Sequence, residues 1–303
     1  MSRADPNSPN SPSKEEREPV MKTFFAKMPG KFLVAVALVV YALNPIIAFG
    51  QTSQEIVRLK TRGDVEQAYW LLYQAAPVRV VAVLFTGGFG LLKLRSTDSG
   101  VAWDKKGISY LVLNKDLFID SETAVAIVDA PNDQWSIGYT PKFRKSDAHS
   151  TDVGNIVKDL RARFPQAKMF LVGTSQGTTS AAYTGKALGN EIDGIVLTAS
   201  VFEWAPSSWG YLSDSNLSDF DFSKISAPLL IVHHVDDRCV ATPYSAAEKL
   251  AGRYPFISVR GGDPAQDKGC GPRGPHGFLG REAQVATEVK NWMHGRPYKT
   301  EIQ

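Results

Sequence analysis

Beyond residue 51 the chain alternates continuous apolar runs with amphipathic stretches. Val78-Arg-Val-Val-Ala-Val-Leu-Phe85, Thr123-Ala-Val-Ala-Ile-Val-Asp129, the run from Met169, Gly194 to Ala199 and Pro228-Leu-Leu-Ile-Val-His233 are short and almost wholly apolar. That is the pattern of strands covered on both faces. Phe256 to Arg260 reads as a last strand, and Glu55–Lys60 and Val65–Tyr73, which mix apolar with polar residues, as two antiparallel outer strands. Helices are expected over Ser109–Phe118, Asp152–Phe164 (capped by Ser150 or Thr151), the small-residue segment ending near Leu188, Tyr244–Leu250 and Arg281–His294. A long polar loop is expected around Pro131 to Lys145. Strands alternating with helices imply an α/β fold, with a mostly parallel central sheet covered by helices on both faces.

The first fifty residues follow another pattern. Residues 1–20 are rich in Pro, Ser, Asn and charge and cannot bury apolar surface, so they read as a disordered tail. Met21 to Lys31 is basic without an acid, Phe32 to Leu43 is apolar, Asn44-Pro45 breaks the run, and Ala48 and Gly50 are small. Residues 21–50 therefore read as a signal peptide cleaved after Gly50, and Met21 competes with Met1 as the start. A retained membrane anchor is the alternative, because Phe32 to Phe49 reaches the lower limit for spanning apart from its break. The expected location is extracytoplasmic, and membrane-bound only if this segment stays.

Composition narrows the functional classes. The chain has 303 residues, 43% hydrophobic and 21% charged, with a formal net charge of +3. Those values suit one globular α/β domain with flanks. Six of the 34 basic and four of the 31 acidic residues fall in 1–50, leaving 28 against 27 in the domain. Nothing there argues for nucleic acid.

The chemistry concentrates at Met169-Phe-Leu-Val-Gly-Thr-Ser175-Gln-Gly-Thr-Thr-Ser-Ala-Ala182. A serine between two glycines, where a buried strand turns into a helix, has its hydroxyl pushed out over the sheet edge in front of the helix's free N–H groups. This G-x-S-x-G elbow, and the order of elements from about residue 52 to 295, resemble the α/β-hydrolase fold family of serine esterases and lipases. The resemblance implies an acid after the strand ending at His233 and a histidine after the last strand. His276 stands at the second place, in Gly269-Cys-Gly-Pro-Arg-Gly-Pro-His-Gly277. Of the other histidines, His149 is expected on a solvated helix surface, His233 and His234 at a buried strand end, and His294 at the end of the last helix. Matching His233 to the family's His-Gly-x-x-Asp favours Asp237 over Asp236 as the acid.

The resemblance further implies two oxyanion donors. One is the backbone N–H of Gln176, and the other comes from Thr86-Gly-Gly-Phe-Gly90, where Gly88 is preferred to Phe89. Thr86 stands where the family usually has His. This glycine-rich loop lacks the Lys-Ser/Thr ending of a phosphate cradle, and no metal or cofactor is implied.

In an exported chain two cysteines read as a disulfide, and Cys239 and Cys270 fall in the loops that carry the acid and the histidine. Val201 to Ile225 occupies the place of a lid. Its Phe202, Trp204, Trp209, Tyr211, Phe220 and Phe222 can line an apolar acyl pocket or pack the lid onto the sheet. The expected activity is carboxylic ester hydrolysis of a small acyl substrate through a Ser175–His276–Asp237 triad. A serine peptidase or amidase and a non-catalytic binding domain are the alternatives.

Overall fold

The computed structural model describes residues 52–74, 77–104, 108–203 and 216–303. The tail at 1–20, the leader at 21–50 and the middle of the insertion, with Trp204, Trp209 and Tyr211, lie outside the described residues.

A nine-stranded sheet forms the centre of the described residues. Its strands are β1 (Thr52–Arg62), β2 (Val65–Gln74), β3 (Val80–Phe85), β6 (Thr123–Val128), β7 (Lys168–Thr174), β8 (Gly194–Thr198), β9 (Leu229–His234), β10 (Phe256–Val259) and β11 (Glu301–Ile302). They lie in the order β1-β2-β6-β3-β7-β8-β9-β10-β11. The β1–β2 and β2–β6 pairings are antiparallel and all others parallel, as the run pattern predicts. A separate hairpin joins β4 (Arg95–Thr97) to β5 (Gly100–Ala102).

The helices are α1 (Tyr110–Leu113), α2 (Lys115–Phe118), α3 (Pro141–Arg144), α4 (Asp147–Arg163), α5 (Gly177–Leu188), α6 (Tyr244–Glu248) and α7 (Glu282–Met293). No helix among the described residues is long and apolar enough to cross a membrane.

Each fully buried strand divides its side chains between two cores. Val81, Val83 and Phe85 of β3 face α4 and α5, meeting Val153, Ile156, Val157, Ala181 and Ala182. Val80, Ala82 and Leu84 face the other layer, with Tyr110, Leu111, Val285 and Val289. An all-apolar strand is the consequence of covering both faces, since the strand period of two sends neighbours to opposite sides.

Several local expectations are corrected. The helix expected over Ser109–Phe118 is interrupted at Asn114, whose backbone N–H and side-chain amide both donate to Tyr110 O at 3.0 Å. Helix α4 begins at Asp147, with the Ser146 hydroxyl accepting from His149 N, so neither Ser150 nor Thr151 caps it. The stretch 131–145 contains α3, capped by Thr140 with Pro141 at its first position. Of the insertion's described aromatics, Phe202, Phe220 and Phe222 pack together and onto the α4–α5 core; none lines the cavity described below.

The topology fixes where chemistry can sit. The chain runs from β3 to β6 on one side and returns to β7 on the other, so β3 and β7 are neighbours, paired from Val80↔Lys168 to Phe85↔Gly173. At such a reversal of strand order the loops leaving the two strands part and open a crevice at their carboxyl ends.

Candidate active site

Ser175 stands at that crevice, directly after β7. Its φ is +52°, a left-handed conformation that costs a non-glycine residue energy and is held only by surrounding structure. The bonds that hold it are Ser175 N donating to Thr198 O at 3.1 Å, and Thr178 N and Oγ1 donating to Ser175 O at 3.0 and 2.6 Å. The flanking glycines are required by space. A Cβ at Gly177 would lie 2.1 Å from Phe85 O, and one at Gly173 2.5 Å from Gly177 O. Helix α5 can thus begin immediately behind the serine, with Gln176 as its capping residue and the positive end of its dipole at the hydroxyl.

The glycine-rich loop after β3 lies against this elbow. A Cβ at Gly87 would come within 3.0 Å of Ser175 Cβ, and Gly90 N donates to Gly87 O at 3.1 Å to close a tight turn. Gly87, Gly88, Ser109, Tyr110, Ser175 and His276 line one cavity of about 120 Å³, with Ile108, Thr174, Cys270 and Pro272 completing its wall. Phe89 is not among its lining residues.

Asp237 and His276 lie within hydrogen-bond distance of each other. His276 sits in the short turn Pro275–Gly277 and is 5% exposed. Its Nδ1 lies 3.0 Å from Asp237 Oδ2. Asp237 Oδ1 accepts from Cys239 N at 2.9 Å, and Oδ2 from the Thr242 hydroxyl at 2.8 Å. Burial pushes the Asp237 carboxyl up, but the hydrogen bond and charge of His276 and the Cys239 N–H outweigh it and hold the group below the ordinary carboxylate range. An ionised Asp237 accepts the hydrogen bond of His276 Nδ1–H and so holds the proton on Nδ1, leaving the Nε2 lone pair free. Among the described residues no hydrogen bond joins Ser175 to His276; such bonds commonly tighten only when the reacting centre engages. Asp236 is exposed and its N–H donates to His234 Nδ1 at 3.0 Å, away from His276.

The disulfide Cys239–Cys270 is formed, and ties the loop of Asp237 to the loop of His276. The remaining histidines do not line the cavity of Ser175. His149 is fully buried, a correction to its expected solvation, because the early start of α4 turns it inward against Phe85, Tyr139 and Phe143. Burial, then the charges of Arg144 and Arg62, push it down to about 3. His233 is buried beside Phe202 and Tyr244 and is pushed down by burial to about 4. His294 Nε2 bonds the Thr123 hydroxyl at 2.9 Å.

Three residues at the site escaped the sequence reading. Thr242 bridges Asp237 and His276, its hydroxyl 3.2 Å from His276 Nδ1 as well. Asp129, at the end of β6, accepts from the N–H groups of Leu92, Lys93, Leu94 and Ala130, which fixes the chain leaving the glycine-rich loop. Arg144, fully buried, donates to Thr86 O, Gly88 O and Ser180 Oγ. None stands in a recognisable motif; a charged residue one turn after Pro141 was the sole hint of Arg144.

No family model and no curated protein matches the chain. Solved structures do. The chain is similar to Est1E from Butyrivibrio proteoclasticus, at TM-score 0.52 and 13% identity over 79% of this chain and 98% of that one. It is similar to a dienelactone hydrolase from Anabaena variabilis, at TM-score 0.52 and 11% identity over 81% and 99%. It also matches an acylaminoacyl peptidase from Pyrococcus horikoshii, at TM-score 0.50 and 14% identity over 85% of this chain, but spans only 43% of that protein's length. With the sheet order and elbow described above, these likenesses identify the α/β-hydrolase fold.

Proposed function

We propose that this protein is an exported serine hydrolase working by acyl transfer, with small carboxylic esters as its substrate class. The observation that carries the reading is Ser175, held at positive φ and sharing one cavity with a histidine whose other ring nitrogen is bonded to a buried carboxylate. Structural features alone rarely assemble all three. Ser175 Oγ attacks the ester carbonyl while His276 Nε2 takes its proton, and the carbonyl oxygen becomes an oxyanion facing the N–H groups of Gln176 and Gly88. His276 returns the proton to the departing alcohol, leaving the acyl group on Ser175. A water, deprotonated by the same nitrogen, then releases the acid and restores the serine. Gly88 is preferred to Phe89 as the second donor because it lines the cavity. The disulfide supports the exported reading, since such bonds persist in oxidising compartments.

Fluorophosphonate labelling tests the reading. Labelling and hydrolysis of short-chain p-nitrophenyl esters are expected in the full chain, both falling by at least about 10³-fold in Ser175→Ala. An unlabelled protein, or labelling undiminished in that variant, overturns it and favours the binding-domain alternative. Turnover of peptidyl amides with esters untouched replaces the esterase by a peptidase.

A further inference from the structure

Arg144 is a fully buried cation with no carboxylate within ion-pair distance among the described residues. An unpaired buried charge is costly, and folded chains keep one where it has a task. Its hydrogen bonds indicate that task. One terminal nitrogen donates to Ser180 Oγ at 2.7 Å, on the helix behind the nucleophile. The other donates to Gly88 O at 2.9 Å and to Thr86 O at 3.3 Å.

Those carbonyls flank a single peptide unit. Thr86 O belongs to the peptide before Gly87, and Gly88 O to the peptide after Gly88. Between them lies the Gly87–Gly88 peptide, which carries the Gly88 N–H, and its carbonyl is taken by Gly90 N at 3.1 Å. Three successive carbonyls are thus fixed. In a planar trans peptide the N–H points opposite to the C=O, so fixing the carbonyls fixes where the N–H groups aim. A glycine pair would otherwise be the most mobile backbone in the loop.

The packing around the guanidinium serves the same end. It stacks 4.7 Å from the centre of the Tyr139 ring, whose hydroxyl is anchored on Asp129 O and whose backbone N–H donates to Phe89 O at 2.7 Å. A Cβ at Gly90 would strike Tyr139 at 2.3 Å and Arg144 at 2.9 Å, so the loop is seated directly on this pair. Burial lowers the guanidinium only to about 10, so it stays charged at neutral pH.

We infer that Arg144 is the positioning residue of the oxyanion hole, orienting the Gly88 N–H and coupling the glycine-rich loop to the nucleophile's helix through Ser180. The inference rests on the acyl-transfer reading of the same site. Arg144 touches no reacting atom. Its effect is confined to steps in which negative charge develops on the carbonyl oxygen, where a misdirected donor costs far more than it does in substrate binding.

The test uses full-length Arg144→Lys, which keeps the charge and loses the fork, and Arg144→Gln, which loses both. Rates of p-nitrophenyl acetate hydrolysis are expressed per active site, counted by fluorophosphonate titration, so that misfolded molecules drop out. Expected is a fall in kcat of about 10-fold for Lys and about 100-fold for Gln, with KM within about 3-fold. Affinity for an aryl trifluoromethyl ketone, which forms a tetrahedral adduct with the serine, should weaken in step with kcat. Ser180→Ala removes one anchor while leaving the charge, and carries the same test at about 3-fold if neither Arg144 variant folds. Unchanged kcat per site, or losses in KM and kcat alike with the ketone unaffected, overturns the positioning role while leaving the hydrolase reading intact. A wild type that neither labels nor turns over ester overturns both.

Discussion

Opening the Cys239–Cys270 bond separates stability from chemistry at this site. The cysteines lie 31 residues apart, and the chain-entropy relation assigns a loop of that length about 3.7 kcal/mol at 25 °C. A domain of this size shifts by about 2–4 °C per kcal/mol, so reduction should lower Tm by about 7–15 °C. Activity should respond less. Asp237 keeps its bonds from Thr242 and His276, and its backbone N–H stays on His234 O at 3.1 Å at the end of β9. The acid is therefore anchored from the sheet side, while the tether restrains chiefly the glycine- and proline-rich loop of His276. At 25 °C kcat on a p-nitrophenyl ester should fall by less than about 10-fold. The assay is thermal unfolding with and without reductant, beside the Cys239→Ala/Cys270→Ala double variant, with thiol titration to establish that the bond was present and then broken. A Tm shift below about 3 °C in both would refute the tether argument. Loss of all activity with Tm unchanged would refute the claim that the acid is anchored from the sheet side.

Two further outcomes follow from the site's buried polar groups. Thr242→Val removes the hydroxyl shared by Asp237 Oδ2 and His276 Nδ1, a charge-assisted bond of about 1.5–3 kcal/mol; denaturant titration should register that loss, and steady-state kinetics a kcat reduced by about 10-fold at unchanged KM. His149 and His233, pushed down to about 3 and 4 by burial, stay neutral in the folded protein while the unfolded chain takes up protons below about pH 6.5. Stability contributed by their neutral forms is complete above that pH and falls by about 1.4 kcal/mol per histidine per pH unit down to about pH 4. Urea unfolding at pH 6.5, 5.5 and 4.5 should show this slope, and His149→Phe, which keeps the aromatic packing, should halve it; an unaltered slope would refute the assignment.

The long elements were legible because each obeys one period. The largely apolar runs at 80–85, 123–128 and 229–234 announce strands buried on both faces, and the elbow announces itself through two glycines that no other residue can replace. What stayed hidden depends on tertiary contacts. Helix α3 has four residues, too few for a periodic signal, and is held by its Thr140 cap and by Arg144 reaching a loop 56 residues earlier. Strand β11 is made by pairing with β10 rather than by its own sequence. His149 looked solvated because its helix was expected to begin later; the earlier start at Asp147 rotates it into the core. Asp237 could be preferred to Asp236 through the family's spacing, yet the hydroxyl that completes the acid's hydrogen bonding, Thr242, belongs to no spacing rule.

The two margins of the sheet bear on how molecules of this protein meet one another. An unpaired strand is a template onto which another chain can zip. On one side the outermost strand, β1, is long but carries Glu55, Arg58, Lys60 and Arg62, with Arg58 bridged to Glu66 and Glu55 to Arg163. On the other, β11 covers the end of β10 and itself offers only two residues of backbone. The charges along β1 oppose an incoming apolar strand there. Removal of Glu301 and Ile302 would expose the unpaired N–H and C=O groups of β10 as a template for an incoming strand.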